Sequence, residues 1–236
     1  MKNKPQPFLR LKSRTNLGFS LIELLAVVLI IGLLMAASAP FYQGSMVALR
    51  LASDGAQFES MLSSAQQSAS AEGRNIEVRF YKYTDPQQLG VARYRSIVLL
   101  RYYQVGETNP DPKSNGAPLT SPLAVIMGDT HTFASGIVMS ENSSMSTLLG
   151  SGTPPGVSVQ TKILTNTGLE NWSYPVNGAN YHSFVLRPEG TSLDPNSKWF
   201  VTLVADRDEE GSPGEAKNFY CIQIDPVNGR VTSYRP

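Results

Sequence analysis

The chain has 236 residues, of which 41% are hydrophobic, so it is long enough for one ordinary domain of about 150 residues and an additional segment. Its 20 basic and 19 acidic residues almost balance, but five of the basic residues lie within positions 1–18, which contain no acid, and 15 basic residues follow them. No later stretch clusters Lys or Arg with aromatic residues, which argues against a nucleic-acid-binding surface.

Residues 19–39, FSLIELLAVVLIIGLLMAASA, form an almost unbroken apolar run after this basic segment. As an α-helix rising about 1.5 Å per residue, the run spans about 30 Å and is long enough to cross a bilayer. The basic residues before it predict a cytoplasmic N-terminus and an extracytoplasmic remainder. Its one charge, Glu23, costs about 2.5 kcal/mol or more in an apolar span unless it is paired. Glu23 is therefore a candidate functional residue, the alternative being a position near the lipid headgroups.

A secretory signal peptide is the alternative for this segment, because Ala37-Ser38-Ala39 has the small-x-small pattern of a signal peptidase site. Cleavage after Ala39 would place Pro40 at the new N-terminus, which makes a poor substrate. The apolar run is also long for a signal core and contains a charge. These features favour a membrane anchor.

The segment Gly18-Phe19-Ser20-Leu21-Ile22-Glu23 resembles the processing site of type IV prepilins and type II secretion pseudopilins. The resemblance implies that a prepilin peptidase in the inner membrane cuts between Gly18 and Phe19, and methylates the new amino group of Phe19. It implies that Glu23 pairs with the positive N-terminus of a neighbouring subunit, since each buried charge loses several kcal/mol unless the two meet. It also implies that Pro40, which lacks an N–H, kinks or locally melts the helix in the filament.

After Pro40 the pattern becomes that of an amphipathic helix, whose apolar residues should pack on a following domain. The apolar stripe comprises Val47, Leu51, Phe58, Leu62, Ala65 and Ala69. Gly73, followed by Arg74-Asn75, is a stop signal for this helix.

From Ile76 the apolar period changes to two, which predicts a half-buried strand with Ile76, Val78 and Phe80 on its core face. The remaining apolar segments predict a mainly antiparallel sheet, with a short helix at Glu141–Leu149. A tight hairpin turn is expected at Asn228-Gly229, because both residues accept positive φ. The other predicted strands are 96–104, 123–127, 136–140, 181–187, 198–205, 218–224 and 230–234.

This order of elements resembles the H-type minor pseudopilins and FimT-like minor pilins, in the stretches Ser64–Phe80 and Phe184–Arg230. More narrowly, VRFYKYTDP, FVLRPEG and NFYCIQIDPVNGRVTSYRP are similar to the prepilin-like family called Verru_Chthon cassette protein D. The resemblance implies an α+β pilin-like fold. It divides the chain into a cleaved leader (1–18), a transmembrane and assembly helix (19–40), an amphipathic helix (41–73) and a β-rich head (74–236).

The residues that often carry catalysis or bind metals lack a supporting pattern. Cys221 has no cysteine partner and is expected to be a small buried residue on a strand, while His131 and His182 sit in no nucleophile context. The acidic residues at 206–215 begin like a calcium loop, but Lys217 stands where a bidentate glutamate belongs. They are interpreted as a solvated turn, although some pseudopilins bind calcium in the head. No catalytic residue, metal site or cofactor is expected.

The sequence therefore predicts a structural subunit, a minor pilin or pseudopilin, in a type IV pilus-like or type II secretion-like filament. Its expected partners are the prepilin peptidase, other pilin subunits and the inner membrane, with no nucleic acid evident. The alternative is a membrane-anchored extracytoplasmic binding or hydrolytic domain. A head that binds DNA, a surface or secreted cargo at the filament tip is a third possibility.

Overall fold

The computed structural model describes residues 20–85, 90–150, 162–165, 168–170, 179–209, 216 and 218–236, without the side chains of 38–43, 162–165 and 168–170. The chain divides into two compact units, Met1–Gly44 and Ser45–Pro236. The architecture is α+β, with an N-terminal helix and a mainly antiparallel sheet, as the sequence predicted.

Helix α1 (Leu21–Glu72) supplies all the described structure of the first unit. Its large apolar side chains are exposed there, between 46% at Ile31 and 84% at Leu21. None of the helices within the described ranges qualifies as a candidate membrane span by its length and hydropathy.

In the second unit, α1 buries the stripe that the sequence predicted. Leu51, Phe58, Leu62, Ala65 and Ala69 are buried. Val47 is partly buried and packs against the same core. The helix ends where Gly73 adopts a φ of +63°, and the Arg74 N–H donates to the Ala69 carbonyl at 3.1 Å. The predicted stripe and stop signal are therefore both confirmed.

The described strands form one 12-stranded sheet, in the order β12-β11-β10-β5-β2-β1-β8-β9, with β3 and β4 on β2, and β6 and β7 following β3. All strand pairs are antiparallel except β3 with β6. A four-residue helix, α2 (Asp206–Glu209), follows β10. The strands are β1 (Ile76–Tyr83), β2 (Arg93–Tyr103), β3 (Leu123–Ile126), β4 (His131–Thr132), β5 (Ile137–Met139), β6 (Lys162–Thr165), β7 (Gly168–Glu170), β8 (Asn180–Arg187), β9 (Gly190–Thr191), β10 (Trp199–Ala205), β11 (Phe219–Ile224) and β12 (Val231–Tyr234).

The main core lies between the second part of α1 and one face of this sheet. Phe58 of α1 packs edge-on against Phe80 of β1 and against Phe133, each with ring centroids 6.0 Å apart. Phe80 in turn stacks on Phe184 of β8 at 6.1 Å. Aromatic pairs at such distances add about 0.5–1.5 kcal/mol each to the area they bury.

The prediction that β1 is half-buried is wrong, because both of its faces are covered. Glu77, Arg79 and Tyr81, expected to face solvent, are 0%, 5% and 4% exposed. β1 is a central strand between β2 and β8, and a second apolar cluster, which includes Val98 and Ala124, lies on this face.

The predicted helix at Glu141–Leu149 is also wrong, because this segment forms consecutive turns beside β10. Ser146 Oγ accepts the Thr202 N–H at 3.0 Å, and Thr147 Oγ1 accepts the Phe200 N–H at 3.0 Å. The Asn142 side chain accepts the Ser144 N–H at 2.9 Å. Such Ser, Thr and Asn side chains bond backbone groups and so compete with a helix.

The turn before β12 contains Asn228-Gly229, as predicted, but only Gly229 has positive φ, at +72°. The Asp225 N–H donates to the Arg230 carbonyl at 2.9 Å, so four residues, 226–229, form the loop. Loops of this length are most often built around a type I turn, whose two central residues have negative φ, whereas a two-residue type I′ turn needs positive φ at both. Only Gly229, which closes the loop, is left-handed here.

Candidate functional site

The N-terminus of α1 is organised by a reciprocal pair of side-chain bonds. The Ser20 Oγ accepts the Ile22 N–H at 3.3 Å, and the Glu23 Oε2 accepts the Ser20 N–H at 2.9 Å. This is a capping box, in which a Ser at the N-cap and a Glu three residues later satisfy backbone donors that the helix leaves free. The pattern Ser20-x-x-Glu23 before an apolar run was a readable signal that the sequence analysis missed.

Glu23 is the only charged residue from position 20 to 49, and it is exposed. Its carboxylate lies at the positive end of the helix dipole, where an anion stabilises the helix. The carboxylate also accepts the N–H of Ser20, the residue that follows Phe19 in the chain. Cleavage after Gly18 would free the amino group of Phe19. The geometry therefore gives Glu23 a role within its own chain, beside the pairing expected between subunits.

The other residues of the expected processing site are only partly described. Gly18 and Phe19, the expected cleavage and methylation residues, lie outside the described residues, as does the basic leader. Pro40 lies within α1, but its side chain is not described. The cleavage site and the kink therefore stay predictions.

The two histidines of the head are partly buried and lie apart from each other. His131 packs edge-on against Phe133 at 5.2 Å, and His182 lies 5.5 Å from the Tyr94 ring. Burial lowers the pKa of both, so each favours the neutral form. Nothing in these contacts pairs either histidine with a nucleophile.

Cys221 lies on β11, opposite Thr202 of β10, as the strand prediction required. It is half-buried, not fully buried as expected. Burial raises the pKa of its thiol, which leaves less of the reactive thiolate at neutral pH. The geometry therefore describes a structural cysteine.

The acidic segment is not simply solvated, because Asp206 accepts a hydrogen bond from Arg95 and forms an ion pair with Arg93. Its carboxylate lies 2.6 Å from Arg95 and 3.5 Å from Arg93, both on β2. Glu209 accepts the Glu141 N–H at 2.8 Å. Glu210 and Glu215 lie outside the described residues. Within the ranges that are described, no group of three or more His, Cys, Asp or Glu side chains is placed to hold a metal ion.

The family model described as the prokaryotic N-terminal methylation motif matches residues 13–39. The matched stretch contains Gly18, Phe19 and Glu23, and the capping box lies inside it. The chain therefore carries a prepilin-type cleavage and methylation motif, which supports a type IV pilin-like or pseudopilin protein. The family of this motif is structural and not catalytic. The chain matches no curated protein and no solved structure.

Proposed function

We propose that the chain is a minor pilin or pseudopilin, processed and N-methylated by a prepilin peptidase and assembled into a type IV pilus-like or type II secretion-like filament. Within that class, we propose the H-type or FimT-like group and, more narrowly, Verru_Chthon cassette protein D. The observation that carries the proposal is the methylation motif at 13–39, which precedes and enters a helix with exposed apolar side chains.

In this mechanism the apolar segment first anchors the precursor in the inner membrane, with its basic leader in the cytoplasm. Cleavage after Gly18 removes the leader and frees the Phe19 amine. The apolar side chains of α1, exposed in the single chain, are then buried among the helices of neighbouring subunits. Glu23 neutralises the amine of a neighbour, which sets the axial register of the subunits.

The mature N-terminus tests this proposal directly. The chain is purified from cells that contain an active prepilin peptidase, and its N-terminal peptide is sequenced by mass spectrometry. An N-methylated Phe19 is the expected result. A Gly18→Trp variant is the matched control and should retain its leader, because the bulky side chain obstructs the scissile backbone.

Two other results would reject the proposal. An intact leader on the native sequence would support the membrane-anchored binding or hydrolytic domain. An N-terminus at Pro40 would instead support a secreted protein released by signal peptidase.

A further inference from the structure

An open groove of about 350 Å³ lies on the last three strands of the sheet. Because β10, β11 and β12 are antiparallel, the start of β10, the end of β11 and the start of β12 meet at one end of the sheet. The groove is lined by the turn before β10, the turn between β11 and β12, and β12 itself. Residues distant in sequence thereby share one surface.

Five of the polar side chains that line this groove make no polar contact within the described part of the chain. Lys198, Gln223, Arg230, Thr232 and Tyr234 make no side-chain hydrogen bond or ion pair with any described residue. The turn itself is held by other groups: Asp225 Oδ1 accepts the Val227 N–H at 2.9 Å, and Asn228 Oδ1 accepts the Arg230 N–H at 2.8 Å. The groove therefore offers donors and acceptors that no described residue uses.

The chemistry of the lining matches an acidic sugar. Lys198 and Arg230 are two cations against one carboxylate, Asp225, so the lining has an excess of positive charge. Gln223 and Thr232 offer an amide and a hydroxyl, which bond the hydroxyls of a sugar. Tyr234 is 52% exposed and offers a flat ring to the C–H face of a sugar.

We propose that this groove binds an acidic polysaccharide through its uronic acid units. The carboxylate of one unit lies between Lys198 and Arg230, its hydroxyls bond Gln223 and Thr232, and its ring lies on Tyr234. This binding gives the head a recognition role in addition to any role in a filament.

A nucleic acid is the less favourable ligand for the same groove. Polyphosphates are bound by tracks of basic residues that neutralise many phosphates, whereas this groove supplies two cations. The 15 basic residues after position 18 are also outnumbered by the 19 acidic ones. A uronic acid unit carries only one carboxylate for the groove to neutralise.

The test uses the full mature chain in detergent and a fluorescent oligogalacturonate. The comparison ligands are a neutral galactose oligomer of the same length and a single-stranded oligonucleotide. The variant Lys198→Gln/Arg230→Gln removes both cations of the groove. Arg207→Gln is the matched control, since the Arg207 side chain is 67% exposed and lies on α2, beyond the far end of β10.

We expect saturable binding of the oligogalacturonate, and binding of the neutral oligomer weaker by about tenfold or more, as loss of charge-assisted bonds requires. The double variant should lose about tenfold or more in affinity, and Arg207→Gln should stay within about twofold. Absence of saturable binding, unchanged affinity in the double variant, or tighter binding of the oligonucleotide would each overturn the proposal. Because the purified chain is used, none of these results depends on assembly.

Discussion

At the scale of single residues, the least expected feature is the ion pair inside the sheet. The Arg79 guanidinium donates to Glu77 Oε2 at 2.9 Å, and the Tyr102 hydroxyl donates to the same oxygen. The Arg79 guanidinium also lies 4.5 Å from the centre of the Tyr181 ring. Because the Glu77 and Arg79 side chains are only 0% and 6% exposed, water cannot replace either partner.

Replacing Glu77 by Gln should therefore be costly. The variant leaves Arg79 as a buried cation without its counter-charge, which costs about 3–5 kcal/mol. Equilibrium denaturation of the purified chain in detergent measures the loss. Glu107→Gln is the control, because the pair of Glu107 with Arg74 is 32% and 27% exposed and should contribute less than about 1 kcal/mol. An equal loss of stability in the two variants would show that burial does not determine what an ion pair contributes.

The two histidines predict how stability depends on pH. Burial lowers the pKa of His131 and His182 in the folded chain, so the unfolded chain takes up protons first as the pH falls. Stability is therefore unaffected by these groups above about pH 6.5 and is lost as the pH falls through their folded pKa values. Asp54, whose pKa burial raises, acts in the opposite direction.

The measurement compares denaturation midpoints at about pH 7.5 and about pH 5.5. The native chain should lose more stability over this interval than a His131→Gln/His182→Gln variant. An identical pH dependence in both chains would show that these histidines do not contribute. The two chains are compared by the change in their midpoints between these two pH values. A destabilisation by the substitutions that is the same at both pH values therefore does not affect the result.

At the scale of elements, α1 approaches β11 so closely that one position admits no side chain. A Cβ added at Gly55 would lie 2.3 Å from Cγ of the Tyr220 ring. The Tyr220 hydroxyl donates to Glu59 Oε2 at 2.8 Å, which holds the ring against the helix. Gly55 is therefore required by packing and not by its backbone conformation.

We predict that Gly55→Ala lowers the stability of the head by about 1–3 kcal/mol, since the ring and the helix must separate. Thermal unfolding followed by circular dichroism measures this change. Gly44→Ala is the control, because nothing lies within 4 Å of a Cβ added there and Ala favours a helix by about 1 kcal/mol. An unchanged or raised midpoint in Gly55→Ala would contradict the close approach.

The elements predicted correctly were those with long apolar segments. The stripe from Leu51 to Ala69 repeats often enough to define one helix face, and β1, β2 and β10 are long strands in which most positions are buried. The two-residue strands β4 and β9 carry too few residues to show a period. The second covered face of β1 depends on distant residues such as Tyr102 and Tyr181, which no local pattern reveals.

The candidate site was predictable to a similar degree. Glu23 was identified because a charge within an apolar run is conspicuous, whereas its bond to the Ser20 N–H follows from a four-residue pattern that was overlooked. The groove was not predictable, because Lys198 and Arg230 are brought together only by the pairing of β10, β11 and β12.

At the scale of the whole molecule, the capping box separates two functions of Glu23. Gln at this position keeps an oxygen that accepts the Ser20 N–H, so Glu23→Gln preserves the cap but removes the charge. If pairing with a neighbour's amine drives assembly, both Glu23→Gln and Glu23→Ala should be cut and bound to membranes but strongly depleted from filaments.

The amount of protein in sheared filaments, relative to the membrane fraction, measures this prediction. We expect a loss of about tenfold or more in both variants, which corresponds to about 1.4 kcal/mol per subunit. The native chain and a Ser20→Ala variant, which removes the other half of the cap, are the controls. Normal assembly of Glu23→Gln would show that Glu23 acts through the helix cap alone.

The position of β1 in the sheet also constrains the order in which the head is made. β1 and β2 emerge early from the ribosome, but Leu186 of β8, the partner of Ile76, emerges more than a hundred residues after Ile76. Until then one long edge of an apolar strand has no partner, and such edges invite aggregation. Synthesis of this protein therefore includes an interval in which a chaperone has a defined edge to protect.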